Sequence, residues 1–460
     1  MSNAFKQLAL SAEMLANLES LQYHTMTEIQ AKSLPNILAG NDIIAKAKTG
    51  SGKTAAFGIG LLERLQVERF RIQTLVLCPT RELADQVAKE LRRLARFTHN
   101  VKILTLCGGA SIGPQIGSLE HGAHIIVGTP GRIGDHLRKK TLNLENIHTV
   151  ILDEADRMLD MGFSEAIEDI LQQCPKERQT LLFSATYPEK IQQLSAAFQN
   201  NAITISVESM HEETSIEQQF FEVDEPQQKL DALVKLLAYF KPESSLVFCN
   251  TKIACDEVTK HLRAQGIDAL SLHGDMEQRD RNKVLLRFSN RSCPVLVATD
   301  VAARGLDIKE LAAVFSYDVS PDPQIHVHRI GRTGRAGEQG LAISLIARKE
   351  MQKAVRIETY FKQTMQWIDL ASIPNTNDVE LASTMISICI DGGKKQKIRA
   401  GDVLGALTAG AGLDAKDIGK IDVNDFHTYV AIERTQVNKA LAGLQNGKIK
   451  GKNFRARKLS

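Results

Sequence analysis

No Cys-x-x-Cys pair occurs anywhere in the 460 residues of this chain. Its seven cysteines, Cys78, Cys107, Cys174, Cys249, Cys255, Cys293 and Cys389, are odd in number and scattered. That pattern excludes a zinc-ribbon spacing and a secreted disulfide framework, and it fits a reducing compartment. No stretch approaches the roughly eighteen uninterrupted apolar residues of a membrane helix. The opening Met1-Ser2-Asn3-Ala4-Phe5-Lys6 lacks the charged-then-apolar order of an export signal, so a cytoplasmic protein without a membrane span is expected. A large excess of one charge is missing as well, the formal net charge being +3. That total hides an asymmetry: residues 383–460 carry 14 Lys+Arg against 7 Asp+Glu, whereas the rest of the chain is net negative. A basic tail of this kind is the electrostatic footprint of a polyanion partner.

The hydrophobic content of 43% and charged content of 24% are those of a soluble globular protein, and the length calls for two or three domains. From Asp42 to about Val207, short apolar, β-branched runs alternate with helical patterns. The runs include Thr74-Leu75-Val76-Leu77, His124-Ile125-Ile126-Val127, Val150-Ile151-Leu152 and Leu181-Leu182-Phe183. Strands apolar on both faces mean a parallel sheet covered by helices on both sides, with binding loops at the strands' carboxyl ends. A second series follows, with strands such as Ser245–Cys249 and Val295–Ala298. A third stretch reads strand, helix, strand, strand, helix, strand. The expected fold is therefore α/β, with two tandem parallel-sheet domains (1–207 and 217–372) followed by a small α+β βαββαβ domain (385–460), an RRM-like order. Residues 208–216 and 373–384 read as linkers.

Chemistry enters with Ala47-Lys48-Thr49-Gly50-Ser51-Gly52-Lys53-Thr54, which follows a strand and precedes a helix-compatible run. Such a glycine turn cradles phosphates on free backbone N–H groups at a helix N-terminus, and its lysine reaches the β/γ phosphates. Asp153-Glu154-Ala155-Asp156 stands directly after Thr149-Val150-Ile151-Leu152, where an acidic pair at a strand end holds magnesium and activates water. Nucleotide hydrolysis is the reading. Lys53, Asp153 and Glu154 are the expected catalytic groups, Glu154 as general base. Thr54 and Asp153 are expected to hold Mg2+. The glutamine of Thr27-Glu28-Ile29-Gln30 offers a base edge both a donor and an acceptor, so Gln30 is expected to select adenine.

In order, Thr27-Glu28-Ile29-Gln30, the phosphate loop, Pro79-Thr80-Arg81-Glu82-Leu83-Ala84, Gly108-Gly109, Thr129-Pro130-Gly131-Arg132, Asp153-Glu154-Ala155-Asp156 and Ser184-Ala185-Thr186 stand in the first series. Val247-Phe248-Cys249-Asn250-Thr251, Gln278-Arg279-Asp280-Arg281, Ala298-Thr299-Asp300, Gly305-Leu306-Asp307 and His328-Arg329-Ile330-Gly331-Arg332-Thr333-Gly334-Arg335 stand in the second. The set resembles that of the DEAD-box ATP-dependent RNA helicases over roughly residues 5–372. The resemblance implies RecA-like folds for the two parallel-sheet domains, ATP and Mg2+ as cofactors, RNA as partner, and nucleotide contacts at Phe5, Thr27, Thr49, Gly50, Ser51, Gly52 and Asp307. It implies RNA contacts at Arg81, Gly108, Gly109, Thr129, Arg132, Gly274, Gln278, Arg281 and Thr299, a set that reads phosphate and sugar rather than base edges. Ser184, Thr186 and His328 would couple hydrolysis to strand separation. Arg332 and Arg335, on a glycine-rich loop of the domain that lacks a phosphate site, have the placement of arginine fingers, typically worth about 10³–10⁵ in rate. One departure from the family pattern is Met26, where proline usually precedes the threonine.

The tail carries Lys448, Lys450, Lys452, Arg455, Arg457 and Lys458 with no acid among residues 446–460. Alternation would put Lys448, Lys450 and Lys452 on one face of a strand. The aromatic octamer of ordinary RNA-recognition modules, laid on residues 425–432, leaves Tyr429 as the single ring at an expected position. A helicase core with this divergent module resembles the DbpA group, which implies binding of 23S ribosomal RNA and a role in large-subunit assembly, by a monomer whose tail supplies the address through tethering. The same motifs would also serve an ATP-gated RNA clamp or assembly scaffold in which hydrolysis times release.

Overall fold

A computed structural model describes residues 4–47, 50–207, 216–303, 311–334, 340–362, 364–376 and 379–459. The expected α/β organisation is present: the chain divides into two compact units, one of residues 1–212 with 305–307, the other of the remainder. In the first unit seven strands run β1 (Ile43–Lys46), β2 (Thr74–Leu77), β3 (Ile103–Leu106), β4 (Ile125–Gly128), β5 (Thr149–Leu152), β6 (Gln179–Ser184) and β7 (Ile203–Ser206). Their spatial order is β3-β4-β2-β5-β6-β1-β7, every pairing parallel. The register Val150↔Thr180 and Ile44↔Leu182 brings the carboxyl ends of β5, β6 and β1 side by side. The loops carrying Asp153, Ser184 and Ala47 therefore emerge at one edge. Both sheet faces are dry, one packed around Phe57, Val76, Ile151 and Phe183, the other around Leu75, Ile126, Val150 and Leu182.

The second unit holds β8 (Ile216–Val223), β9 (Ser245–Cys249), β10 (Ala269–Leu272), β11 (Val295–Thr299), β12 (Ala313–Ser316), β13 (Gly340–Ala347) and β14 (Gln366–Ile368). They form a parallel sheet in the order β10-β11-β9-β12-β13-β8-β14. Three strands escape the sequence pattern. β7 and β14 are mostly exposed edge strands without an apolar run, and β8 mixes Glu217, Gln218 and Gln219 with Phe220 and Phe221. Ile216 already opens β8, while residues 208–215 of the expected linker lie outside the described residues.

The same unit carries β15 (Met385–Ile390), β16 (Ile418–Val423), β17 (Thr428–Glu433) and β18 (Ala456–Lys458), an antiparallel sheet in the order β16-β17-β15-β18 with helices at 400–405 and 437–446. Its core of Ile388, Ile390, Val430, Ile432, Val403 and Leu444 fills one face. The opposite face is covered at β15, where Ser387 is 1% exposed and its hydroxyl meets Asn290 Nδ2 at 2.7 Å and Ser292 Oγ at 2.8 Å. Arg434 donates to Ser383 O (2.7 Å) and Asp268 (3.0 Å). Leu381 is buried and pairs with Ile267 in a parallel bridge. The stretch before β15 thus packs against the second large sheet's own layer. The expected lysine strand is not formed. Ile449 and Lys452 pair across a two-residue turn in which Lys450 and Gly451 have φ of 51° and 78°, a geometry that suits a hairpin turn and breaks alternation. Among the described residues no helix is long and apolar enough to cross a membrane.

Candidate active site and RNA interface

Gly52 caps the helix Lys53–Glu63 from the left-handed region, φ 94°. A Cβ there would lie 2.5 Å from Gln30 Nε2 and 3.0 Å from Thr27 Oγ1, so only glycine lets the phosphate loop and the helix Glu28–Leu38 approach this closely. Gln30 joins them: Nε2 donates to Gly52 O (3.1 Å) while Oε1 accepts from Thr27 N (2.9 Å). One N–H and one lone pair of the amide remain for a base edge. Lys53 is 6% exposed and its ammonium donates to Ala47 O at 2.8 Å. Gly50, Ser51 and Thr54 complete the described part of the cradle at the helix N-terminus, and Thr49 lies outside the described residues. Phe5 does not present a stacking ring: it is 3% exposed and buried in the core with Met14, Leu18 and Met26.

Asp153 follows β5 and is 3% exposed. Burial raises its pKa from 3.8 to about 6, against the pull of the Lys53 charge and with a further push from Glu154. Its Oδ1 is buried without a hydrogen-bond partner. A buried carboxylate oxygen that nothing satisfies is what a cation ligand leaves behind, and Thr54, at the helix N-terminus, adds a hydroxyl of the type Mg2+ accepts. The residues fit the metal. Glu154 is held at φ 52°, unusual for a residue with a Cβ, and pairs with Arg157 Nε at 3.4 Å, both side chains buried. Asp156 binds the next loop: its Oδ2 accepts from the Thr186 amide and hydroxyl, each at 2.9 Å, and Ser184 Oγ donates to Thr186 O at 2.6 Å. The structure thus brings Ser184 and Thr186 onto the acidic motif.

On the same unit Arg81 opens the helix Arg81–Leu94, and Gly109 (φ 76°) lies so close that a Cβ would fall 1.4 Å from Arg81 Nη1; Gly108 is its neighbour. Thr129 caps the helix Pro130–Arg138. Arg132 is turned inward, donating to Gln115 Oε1 (3.0 Å) and Ala110 O (2.9 Å), so in this form it braces the 110–115 loop rather than reaching outward.

In the second unit Gln278 and Arg281 begin the helix Gln278–Ser289, and Arg281 donates to Ala302 O at 2.8 Å beside Thr299. Gly274 precedes that helix in an open position. His328 and Arg332 lie on the helix Pro323–Ile330 and just after it, Arg332 being 8% exposed. Asp307 and Arg335 lie outside the described residues. Sequence reasoning passed over Arg329, between these two. Its guanidinium is 1% exposed and bidentate to Asp300 (2.7 and 2.7 Å), and it also donates to Asn250 Oδ1 (3.0 Å) and Asp318 O (2.5 Å). It ties the turn after Thr299 to the helix that carries His328. Its place inside the arginine-rich motif was the available signal, but only coordinates show that Arg329 is consumed by internal partners.

Tyr429 is half-buried beside Cys389 on the sheet face opposite the small domain's core, its ring stacked near His427 with centroids 6.3 Å apart, and burial is the first cause of its raised pKa. Lys448, Lys450, Lys452 and Arg455 are all exposed at one end of the small domain.

Comparison with known proteins agrees with this geometry. The DEAD/DEAH box helicase family matches residues 27–194, the helicase conserved C-terminal domain 228–337 and the DbpA RNA binding domain 387–458. The chain is 54% identical over 457 residues to the ATP-dependent RNA helicase DbpA of Escherichia coli (strain K12), covering 99% of each. It is 45% identical over 363 residues to the DEAD-box ATP-dependent RNA helicase CshA of Geobacillus kaustophilus, 79% of this chain and 77% of that one. Among solved structures, S. cerevisiae Dbp5 bound to RNA and ADP BeF3 superposes with a TM-score of 0.74 at 30% identity, covering 80% of this chain and 96% of that one. With an acidic strand-end pair beside a glycine-capped lysine, and with all three domains matched in order, this chain belongs to the DEAD-box ATP-dependent RNA helicases, in the DbpA group.

Proposed function

We propose that this RNA-stimulated ATPase separates short RNA duplexes locally, without translocation, and that its C-terminal domain directs it to 23S ribosomal RNA during large-subunit assembly, as a cytoplasmic monomer. Lys53 and the N–H groups of the cradle hold the triphosphate, Gln30 and Thr27 read adenine, and Asp307 lies toward the ribose. Thr54 and Asp153 hold Mg2+, which when bound neutralises developing phosphate charge. Glu154 accepts a proton from the attacking water, and Arg332 with Arg335 complete the site when the two lobes close on ATP and one strand. ATP and RNA each draw on residues from both lobes, so each favours closure and strengthens the other's binding by linkage. Arg81, Gly108, Gly109, Thr129, Gly274, Gln278, Arg281 and Thr299 grip phosphate and sugar, making the core indifferent to sequence.

The observation that carries this reading is the bond pair from Thr186 to Asp156, which fastens the Ser-Ala-Thr loop to the motif holding Asp153 and Glu154. A change at the hydrolytic centre is felt by that loop directly. ATPase rate measured against a panel of RNAs, including fragments of 23S ribosomal RNA, is the test. Strong stimulation by a ribosomal fragment over unrelated RNA of equal length is expected. Equal stimulation by all would remove the ribosomal address, and no stimulation by any would remove the helicase reading.

A further inference from the structure

On the side of the small domain's sheet away from its core, Ser387, Cys389 and Ala431 are at most 1% exposed, and Asn290 and Ser292 cover Ser387. Three segments converge at one end. The turn joining β16 to β17, closed by Asn424 N to His427 O (2.8 Å), receives main-chain bonds from Lys394 N to Asn424 O (2.8 Å) and Lys395 N to Asp425 O (2.9 Å). Gly393 permits the approach, since a Cβ there would lie 2.2 Å from Asn424 O. The third segment joins through Asp391 N to Arg455 O (2.9 Å) and Lys450 Nζ to Lys397 O (3.1 Å).

The result is an end surface on which Lys394, Lys395 and Lys397 are exposed beside the basic turn at 448–455. Of the nearby acids, Asp391 is held by Arg457 at 2.5 Å and Asp402 by the Arg399 amide at 2.8 Å, leaving Asp425 as the exposed countercharge. On the same turn Phe426 is 61% exposed, among the most exposed large apolar side chains of the described residues. A ring this exposed, on a turn bonded to the segment that carries Lys394 and Lys395, is not explained by core packing. Aromatic rings flanked by cations are how proteins hold single-stranded nucleic acid, with a base on the ring and phosphates on the cations.

We propose that Phe426, Lys394 and Lys395 form a binding site for an unpaired RNA nucleotide, the base stacking on Phe426 and the adjoining phosphates meeting the two lysines. The inference rests on the reading of this domain as the RNA address, and it adds that the address includes a single-stranded element. A duplex cannot use the ring, because its bases are already stacked.

The test measures binding of the full-length chain to a blunt two-stranded RNA duplex and to the same duplex with a single-stranded oligoadenylate extension, across a salt series. F426A is expected to weaken binding of the extended duplex by roughly 5- to 100-fold, while F426W restores it and F426L does not. K394A/K395A is expected to reduce the slope of log affinity against log salt by about 1.4, at about 0.7 per phosphate on a single strand. Unfolding temperatures equal to wild type separate these effects from misfolding, which the ring's exposure disfavours. Wild-type affinity in F426A, full rescue by F426L, or equal loss on the blunt and the extended duplex would overturn the proposal. If the unaltered protein's ATPase ignores both RNAs, the broader helicase reading fails instead.

Discussion

Removal of the charge at Asp153 should make the protein more stable and inactive at once. The carboxyl's pKa of about 6, against 3.8 in an unstructured chain, is a gap of about two units, worth about 3 kcal/mol at about 1.4 kcal/mol per unit. Its direction follows from proton binding. The fold holds this proton more tightly than the unfolded chain does, so between about pH 4 and pH 6 the folded state binds more protons and loses stability as pH rises. Above about pH 6 the full penalty is in place. Asp153→Asn never titrates, so its advantage over wild type should be near zero at pH 4 and reach about 3 kcal/mol by pH 7, a shift of roughly 6–12 °C for a lobe of this size. Thermal unfolding of nucleotide-free protein in chelator, followed from pH 4.5 to 8, gives the curve, and parallel ATPase assays should show activity lost. Magnesium nucleotide should raise the wild-type midpoint far more than that of the variant, because the orphaned Oδ1 then gains its partner. A variant no more stable than wild type at pH 7.5, or an advantage that does not vary with pH, would refute the argument that burial of an unsatisfied charge dominates this position.

Gly52→Ala places a Cβ 2.5 Å from Gln30 Nε2 at a φ of 94°, so the latch to the phosphate loop should open and nucleotide affinity fall at least about tenfold, read by titration with a fluorescent ADP analogue. Thr186→Val deletes the hydroxyl bond to Asp156, a bond to a charged acceptor worth about 1.5–3 kcal/mol; short-duplex unwinding should drop roughly 10- to 100-fold and ATPase by much less, measured on the same preparation. Asp300→Ala leaves the buried Arg329 guanidinium without its bidentate partner and should cost about 3–5 kcal/mol in the second lobe, seen as an earlier denaturant midpoint together with weakened RNA stimulation of the ATPase.

The chemistry was legible because it is local. A glycine-lysine turn behind an apolar strand and an acidic pair behind another state their function within about ten residues each, and their order along the chain carries the family. Interior strands were legible for a related reason: β2, β4, β5 and β9 are buried throughout and read as unbroken apolar runs. The edge strands β7 and β14 were not, since a strand with one neighbour and a wet face carries no such run.

Partnership across the chain was beyond the sequence. Nothing in the order of residues says that Gln30 binds Gly52 of the phosphate loop, that Arg132 turns inward, or that Arg329 holds Asp300 from 29 residues away. The basic tail was visible as a charge count, but the seating of Ser387 on Asn290 and Ser292 and the exposure of Phe426 at the domain's end came from the tertiary structure. Composition and spacing fix which groups exist and what they can do chemically. Which of them face solvent, and which are consumed by one another, depends on distances that only the folded chain sets.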